Sequence, residues 1–231
     1  MVDTKTPPTP TAVMVSRYKR RRSLLYRIFR PPLPLVYNPR EAFLPQCAGL
    51  KLFVGGAGVT APKSFVNVDV TPFAGVDIVA DMEQLPFADG SVSAIECDAV
   101  LEHVRAPGKA IAECLRVLRP GGWLHVVVPF CHPFHGYPGD FQRWTLDGLK
   151  TLLRDFEIVD VGVRTGPTAT LLVFLLEYAK VASPKLLRKL SYALFGWILW
   201  PLRYLDVWLN RKPEAQILAN HIYALVRKPA A

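Results

Sequence analysis

The sequence predicts an α/β domain on a doubly wound, mostly parallel sheet, with a shortened first helix and a hydrophobic helical insertion before the last strand. Three observations predict it. From Leu50 onward, short strand-like runs alternate with helix-like runs, an order that builds parallel sheets. The first strand-like run ends in a glycine turn, Gly55-Gly56-Ala57-Gly58, and the next ends in a carboxylate, Asp69. A strongly apolar block, in two parts over 168–178 and 192–202, then separates the sixth strand-like run from the last.

The elements follow in order. Residues 50–54 form the first strand, 64–69 the second, 76–80 the third (followed by Asp81), and 91–96 the fourth. Ile111, Ala112, Leu115 and Leu118 recur at helical spacing over 108–118, and Pro120-Gly121-Gly122 ends that helix. Residues 123–128 make the fifth strand, 146–153 a helix, 156–163 the sixth strand, and 216–226 holds the last. Only ten residues, 59–68, separate Gly58 from Asp69, which leaves room for one helical turn at most.

Upstream, residues 1–16 carry repeated Pro and Thr-Pro and no apolar period, the pattern of a disordered tail. Residues 17–30 set Leu24, Leu25, Ile28 and Phe29 among arginines until Pro31-Pro32, a basic amphipathic arm spanning 17–40. The domain plan is therefore a tail (1–16), the arm (17–40), an α/β core (41–163), an apolar helical insertion, membrane-interfacial or a lid (164–215), and a last strand with its tail (216–231).

Charge divides the same way. Residues 1–40 carry net +8, residues 41–179 net −6 and residues 180–231 net +7, within a total of +9. Basic ends around an acidic middle suit a polyanionic surface met by the ends, either membrane phosphate or nucleic acid. Neither apolar part of the insertion reaches the roughly 20 residues that span a bilayer. Lys185, Arg188, Lys189 and Arg203 interleave with Trp197, Trp200, Tyr204 and Trp208, as in segments that lie at a membrane interface. The four cysteines (47, 97, 114 and 131) form no CxxC pair, so neither a disulfide framework nor a zinc site is expected, and a reducing, cytoplasmic setting fits. No secretory leader is visible in residues 1–22.

A strand running into a glycine-rich turn brings backbone N–H groups close to a ligand, and a carboxylate ending the next strand can accept both hydroxyls of a ribose. Those features suit several nucleotides. The longer series LFVGGAG (52–58), NVDV (67–70), ADMEQLPFADGSVSAI (80–95), DAVLEHV (98–104), ECLRVLRPGGWL (113–124) and VVVPF (126–130) resembles the class I S-adenosylmethionine (SAM)-dependent methyltransferases, in particular the type 11 group, over about residues 50–163. The resemblance implies a Rossmann-like fold and SAM as methyl donor. It implies that Gly55, Gly56 and Gly58 line the amino-acid and sugar portion, and that Asp69 holds the ribose. Asp81 and the backbone of Met82 would meet the adenine edge, with Asp98 near the methionine moiety. The short first turn departs from the family pattern, which has an acidic residue before three spaced glycines and a full helix after them.

After the fifth strand comes a loop crowded with His132, His135, Tyr137, Asp140 and Arg143. Proteins with a similar P-x-D-x-x-R-x-T run accompany surface-polysaccharide and glycolipid synthesis. Displacing a methyl onto a hydroxyl needs the oxygen partly deprotonated, and histidine suits that task. His135 is the first candidate base and His132 the second. Asp140 and Arg143, three apart, read as an ion pair across a helical turn. His103 falls at the helix start after the fourth strand. The reading is an O-methyltransferase acting on a glycan, glycolipid or other lipid-linked substrate, peripheral to the cytoplasmic membrane face. The alternatives are an RNA methyltransferase, against which stands the lack of a recognisable RNA-binding module, and a binding protein with a decayed pocket.

Overall fold

The computed structural model describes residues 47–56, 64–136 and 139–230. The expected tail, the basic arm, Gly58, most of the short first turn and Tyr137 lie outside the described residues.

Seven strands form one sheet: β1 (Lys51–Val54), β2 (Val66–Asp69), β3 (Ile78–Val79), β4 (Val92–Asp98), β5 (Leu118–Pro129), β6 (Glu157–Thr165) and β7 (His221–Arg227). Their spatial order is β3-β2-β1-β4-β5-β7-β6. The first five strands are mutually parallel, whereas β7 inserts antiparallel between β5 and β6. The order reverses between β1 and β4, and beyond the carboxyl ends of two such strands a doubly wound sheet opens a crevice for ligand.

Among the described residues the helices are α1 (Pro107–Val117), α2 (Leu146–Leu152), α3 (Pro167–Ala182), α4 (Arg188–Leu199) and the short α5 (Asp206–Leu209), with 3₁₀ turns at Leu101–His103, Trp200–Leu205 and Pro213–Leu218. Central strands β1 and β4 are buried almost throughout, as parallel strands covered on both faces must be. Leu52, Ile95, Leu124, Val126 and Ile222 line the core with Ile111, Cys114 and Leu149 from α1 and α2.

Several boundaries differ from those expected. The third strand shrinks to two residues at the sheet edge, preceded by Asp77, whose carboxylate accepts the Asn67 backbone N–H. Arg119-Pro-Gly-Gly does not separate helix from strand. β5 already begins at Leu118 and carries these residues past a register shift against Val92/Ala94, with Gly121 in the left-handed region at φ +71. The last strand starts at His221, since Pro213 opens a 3₁₀ turn over the stretch given to it. The insertion therefore runs from the end of β6 at Thr165 to the start of β7, slightly beyond 164–215.

That insertion is anchored by one buried carboxylate. Asp206 accepts from the backbone N–H of Thr168 (2.8 Å) and Ala169 (3.0 Å), satisfying the first-turn donors of α3 and countering its dipole. A β-carbon on Gly166 would lie 2.1 Å from Asn210 Oδ1 and 2.6 Å from Asp206 Cγ, so the chain enters α3 where no larger residue fits.

Candidate active site

The signature segments 80–95 and 113–124 are held together by two side chains of α1. Glu113 accepts from the N–H of Leu85 (3.0 Å), while Arg116 donates to the carbonyls of Leu85 (3.0 Å) and Phe87 (2.9 Å) and to Asp89 Oδ1 (2.6 Å). Arg116 also bonds Glu113, which holds that carboxyl below the usual range. The co-occurrence of L-P-F-x-D with E-x-x-R has a mechanical origin: one ion pair fixes the loop that follows Asp81.

Backbone bonds draw the expected cofactor residues to one edge. The Gly55 N–H bonds the Val68 carbonyl (2.8 Å), and the Ala80 N–H bonds the Asp69 carbonyl (3.0 Å), so the glycine turn, Asp69 and Asp81 are adjacent at the ends of β1, β2 and β3. Asp69 is buried and its Oδ1 receives the Thr71 N–H, which fixes the carboxylate in a tight turn. Asp81 is exposed and its Oδ1 receives the Glu83 N–H (2.9 Å). Met82 buries its side chain in the core against Cys97, leaving its backbone as the part that can face a ligand.

Gly55 sits at φ +74, and an added β-carbon would fall 2.3 Å from Val100 Cγ2. A β-carbon on Gly56 would lie 2.6 Å from the Phe53 ring. Gly55 thus lets the β1 turn approach the segment after β4, while Gly56 lets it pass close to Phe53 and Asn67. That segment is itself strained, since Ala99 has φ +56, a conformation costing an L-residue about 1–2 kcal/mol. Asp98 beside it is paired with Arg164 of β6 (2.9 Å), a partner with no sequence signal. The edge therefore presents the carboxylates of Asp69 and Asp81 beside a glycine turn at the switch point, acceptors suited to a nucleoside's hydroxyls and amino group.

A second group lies along the ends of β4, β5 and β7. The rings of His103, His132, His135 and His221 form a chain: His103 to His135 at 5.0 Å, His135 to His132 at 4.9 Å and His132 to His221 at 4.9 Å. His132 Nδ1 lies 3.0 Å from Asn220 Oδ1 and so carries the proton, which leaves Nε2 its lone pair. Burial holds this imidazole below its usual range, keeping it neutral at pH 7. His135 Nε2 lies 3.4 Å from Glu102 Oε1, and its Nδ1 lies 3.5 Å from Asp140 Oδ2. Sequence reasoning missed Glu102, Asn220 and His221. Glu102 stands inside the L-E-H-V signature, but only the fold brings His135 to it and Asn220 and His221 to His132.

Asp140 and Arg143 do form the expected pair, bidentate, with Nη2 2.6 Å from Oδ2. The segment is irregular, not helical. Arg143 instead gathers the loop by donating also to the carbonyls of His132 and Pro133, and the guanidinium holds the Asp140 carboxyl at about 2.

Residues 59–126 match the family model described as a methyltransferase domain. Over those residues the chain is similar to class I, SAM-dependent methyltransferase domains. Among curated relatives, the demethylmenaquinone methyltransferase of Renibacterium salmoninarum is 48% identical over 62 residues, 26% of either chain. Thiol S-methyltransferase TMT1B of Homo sapiens is 48% identical over 54 residues, 22% of this chain and 21% of that one. The ubiquinone biosynthesis O-methyltransferase of Burkholderia cenocepacia is 30% identical over 82 residues, 34% of this chain and 33% of the relative. The matches thus span about a fifth to a third of the three relatives named. The fold extends much further than the sequence likeness. The [4+2]-cyclase SpnF superposes with TM-score 0.56 at 19% identity over 98% of both chains. The 1,6-didemethyltoxoflavin-N1-methyltransferase of Burkholderia thailandensis, solved with S-adenosylhomocysteine, superposes with TM-score 0.53 at 15% identity over 95% of this chain and 87% of that one.

Proposed function

We propose that the protein transfers the methyl group of SAM to an oxygen of a lipid-linked acceptor, a glycolipid or a quinone-type lipid, presented at a membrane face. The observation that carries the reading is the adjacency of the glycine turn, Asp69 and Asp81 at the switch point of the sheet, next to a histidine cluster on the neighbouring strand ends. Asp69 would accept from the ribose hydroxyls, Asp81 with the Met82 backbone would meet the adenine, and Gly55 and Gly56 would let the ligand approach the main chain. Asp98, already held by Arg164, would border the methionine end.

SAM, when bound, supplies an electrophilic methyl on a sulfonium. The chain supplies position and a proton acceptor. Of the two candidate bases, the hydrogen-bond pattern favours His132, whose Nδ1 proton is engaged by Asn220 and whose Nε2 can accept. His135, flanked by two carboxylates, is better placed for another task, taken up below.

The lipid acceptor is supported by the insertion. Leu186 and Tyr178 are 91% and 73% exposed, and Leu190, Leu194, Ile198, Trp197 and Trp208 are also open to solvent, with Lys185, Arg188, Lys189 and Arg203 interspersed. An apolar face of this extent with basic and tryptophan flanks suits the anionic interface of a membrane. No helix among the described residues is long and apolar enough to cross one, so the reading is peripheral binding on the cytoplasmic side. The names of the menaquinone and ubiquinone relatives also point to lipid-like acceptors.

The test combines a calorimetric SAM titration with incubation of the protein, SAM and a membrane-lipid extract, followed by mass spectrometry. Saturable SAM binding and a one-CH₂ mass increment on a glycolipid or quinol are expected. Absence of SAM binding would overturn the reading, and methylation confined to RNA would replace its acceptor.

A further inference from the structure

Glu102 poses a problem that the proposed methyl transfer does not solve. Its carboxylate has no exposed surface, and neither oxygen accepts a hydrogen bond from any described residue. A carboxylate removed from water requires a cation or donors in exchange. The Arg143 guanidinium is already committed to Asp140 and three carbonyls.

Two imidazole nitrogens face the carboxylate instead, without reaching it. Glu102 Oε1 is 3.8 Å from His103 Nε2 and 3.4 Å from His135 Nε2. These separations are too long for good hydrogen bonds. They match the edges of a coordination polyhedron, since ligands bonded at about 2.0–2.2 Å in tetrahedral geometry stand roughly 3.4 Å apart. One donor atom from each of the three residues lies within 4.8 Å of the others.

The far side of each ring is arranged to suit. His103 Nδ1 is bonded to the Gly139 carbonyl, which places its proton there and leaves Nε2 a lone pair. Asp140 stands behind His135, accepting the His135 backbone N–H (2.8 Å) and lying 3.5 Å from Nδ1, so the Nε2 side turns to Glu102. The carbonyl bonded behind His103 is the arrangement that orients histidines ligating metals, and Asp140 stands on the same side of His135 without bonding its Nδ1.

We propose that Glu102, His103 and His135 form a binding site for one divalent first-row transition-metal ion of the zinc type. Two imidazoles and one carboxylate favour such an ion over magnesium or calcium, which take oxygen donors. Three protein ligands leave coordination positions open for an outside oxygen. The local sequence hides the site because its third ligand lies on the loop after β5 and the other two follow β4.

The ion's role in catalysis rests on the methyltransferase reading, although its binding does not. An acceptor hydroxyl drawn to the open position becomes more acidic. Its proton passes to His132, an oxygen lone pair forms the new O–CH₃ bond, and the S–CH₃ bond breaks with its electron pair returning to sulfur. The products are the methyl ether and neutral S-adenosylhomocysteine, with one proton released.

The experiment uses the full chain, dialysed against a chelator and checked by circular dichroism, then titrated with Co²⁺, Zn²⁺ and Mg²⁺. We expect one Co²⁺ per chain with visible d–d absorption, displaced by Zn²⁺ and not by Mg²⁺. H103A and H135A should each weaken Co²⁺ binding by about 100-fold or more, and D140N, which acts through His135, by about 10-fold. Should a variant fail to fold, Zn²⁺-dependent protection of His103 and His135 from diethyl pyrocarbonate in the unaltered protein reads the same contact. No saturable Co²⁺ or Zn²⁺ binding, or binding unchanged in both histidine variants, overturns the site. SAM is titrated in parallel. SAM binding without metal binding removes only the metal proposal, and metal binding without SAM binding removes only the methyltransferase reading.

Discussion

The parallel half of the sheet and the helical insertion are both rich in large apolar residues, yet they dispose of them in opposite ways. Around β1, β4 and β5 almost every such side chain is buried, and Leu52, Ile95 and Leu124 have no exposed surface. Along α3, α4 and the turns after them, Leu171, Phe174, Val181, Leu187 and Leu205 face solvent, and among the buried residues of α3 are three small ones, Thr168, Ala169 and Thr170. Apolar content alone thus says little about where a core lies. In the sheet it is matched by a covering layer on each face. In the insertion, the described residues provide no such cover, and the helices are fixed chiefly at the root, through Asp206 and the Thr170 hydroxyl bond to the Leu218 carbonyl (2.6 Å).

The largest expected effect breaks the sheet side of this contrast. Gly55→Ala must place a β-carbon against Val100 in a left-handed backbone, at a cost of about 3 kcal/mol from strain and overpacking together. Urea unfolding measures it, and an unaltered midpoint would mean that β1 and the Val100 segment are not packed so closely. Next comes Asp206→Ala, which strips the capping carboxylate from α3 and leaves buried N–H groups without it, for a loss of about 2 kcal/mol. A loss of helical circular dichroism at lower denaturant than the sheet's fluorescence transition would show the insertion yielding first. Asp69→Ala and Asp81→Ala should each weaken SAM binding about tenfold, equivalent to about 1.4 kcal/mol, with the melting temperature little changed by Asp81→Ala. Calorimetric affinities equal to wild type in both would remove these residues from the site.

A smaller and graded effect is expected with pH. Burial, with His132 adding its charge, depresses His221 to about 3 from a usual 6.5. Because the folded value is the lower, the unfolded chain binds the extra proton first. The stability that neutral His221 contributes is therefore intact above pH 6.5 and is lost progressively as pH falls toward about 3. Denaturant midpoints measured downward from pH 6.5 should decline less steeply in His221→Asn than in wild type. The smallest effect on folding, and the most telling for the insertion, belongs to Leu190→Glu with Leu194→Glu. Exposed positions should change stability by no more than about 0.5 kcal/mol, yet co-sedimentation with anionic vesicles should fall sharply. Undiminished sedimentation would mean that this face is covered by something other than lipid.

The sequence by itself determined the alternation that makes the parallel sheet, because burial on both faces demands continuous apolar runs separated by turn residues, and those runs are local. It also marked the positions of the glycine turn, Asp69 and Asp81 near strand ends, because each depends on the course of a single strand. Tertiary structure decided what lies between elements far apart in the chain. Only the fold sets β7 between β5 and β6, brings Arg164 to Asp98, and seats Asp206 beneath α3, since each pairing closes a long loop that no nearby residue encodes. The histidine cluster belongs to that second kind. Glu102 reads in sequence as one letter of a signature, and acquires its chemistry when His135 is carried to within 3.4 Å of it.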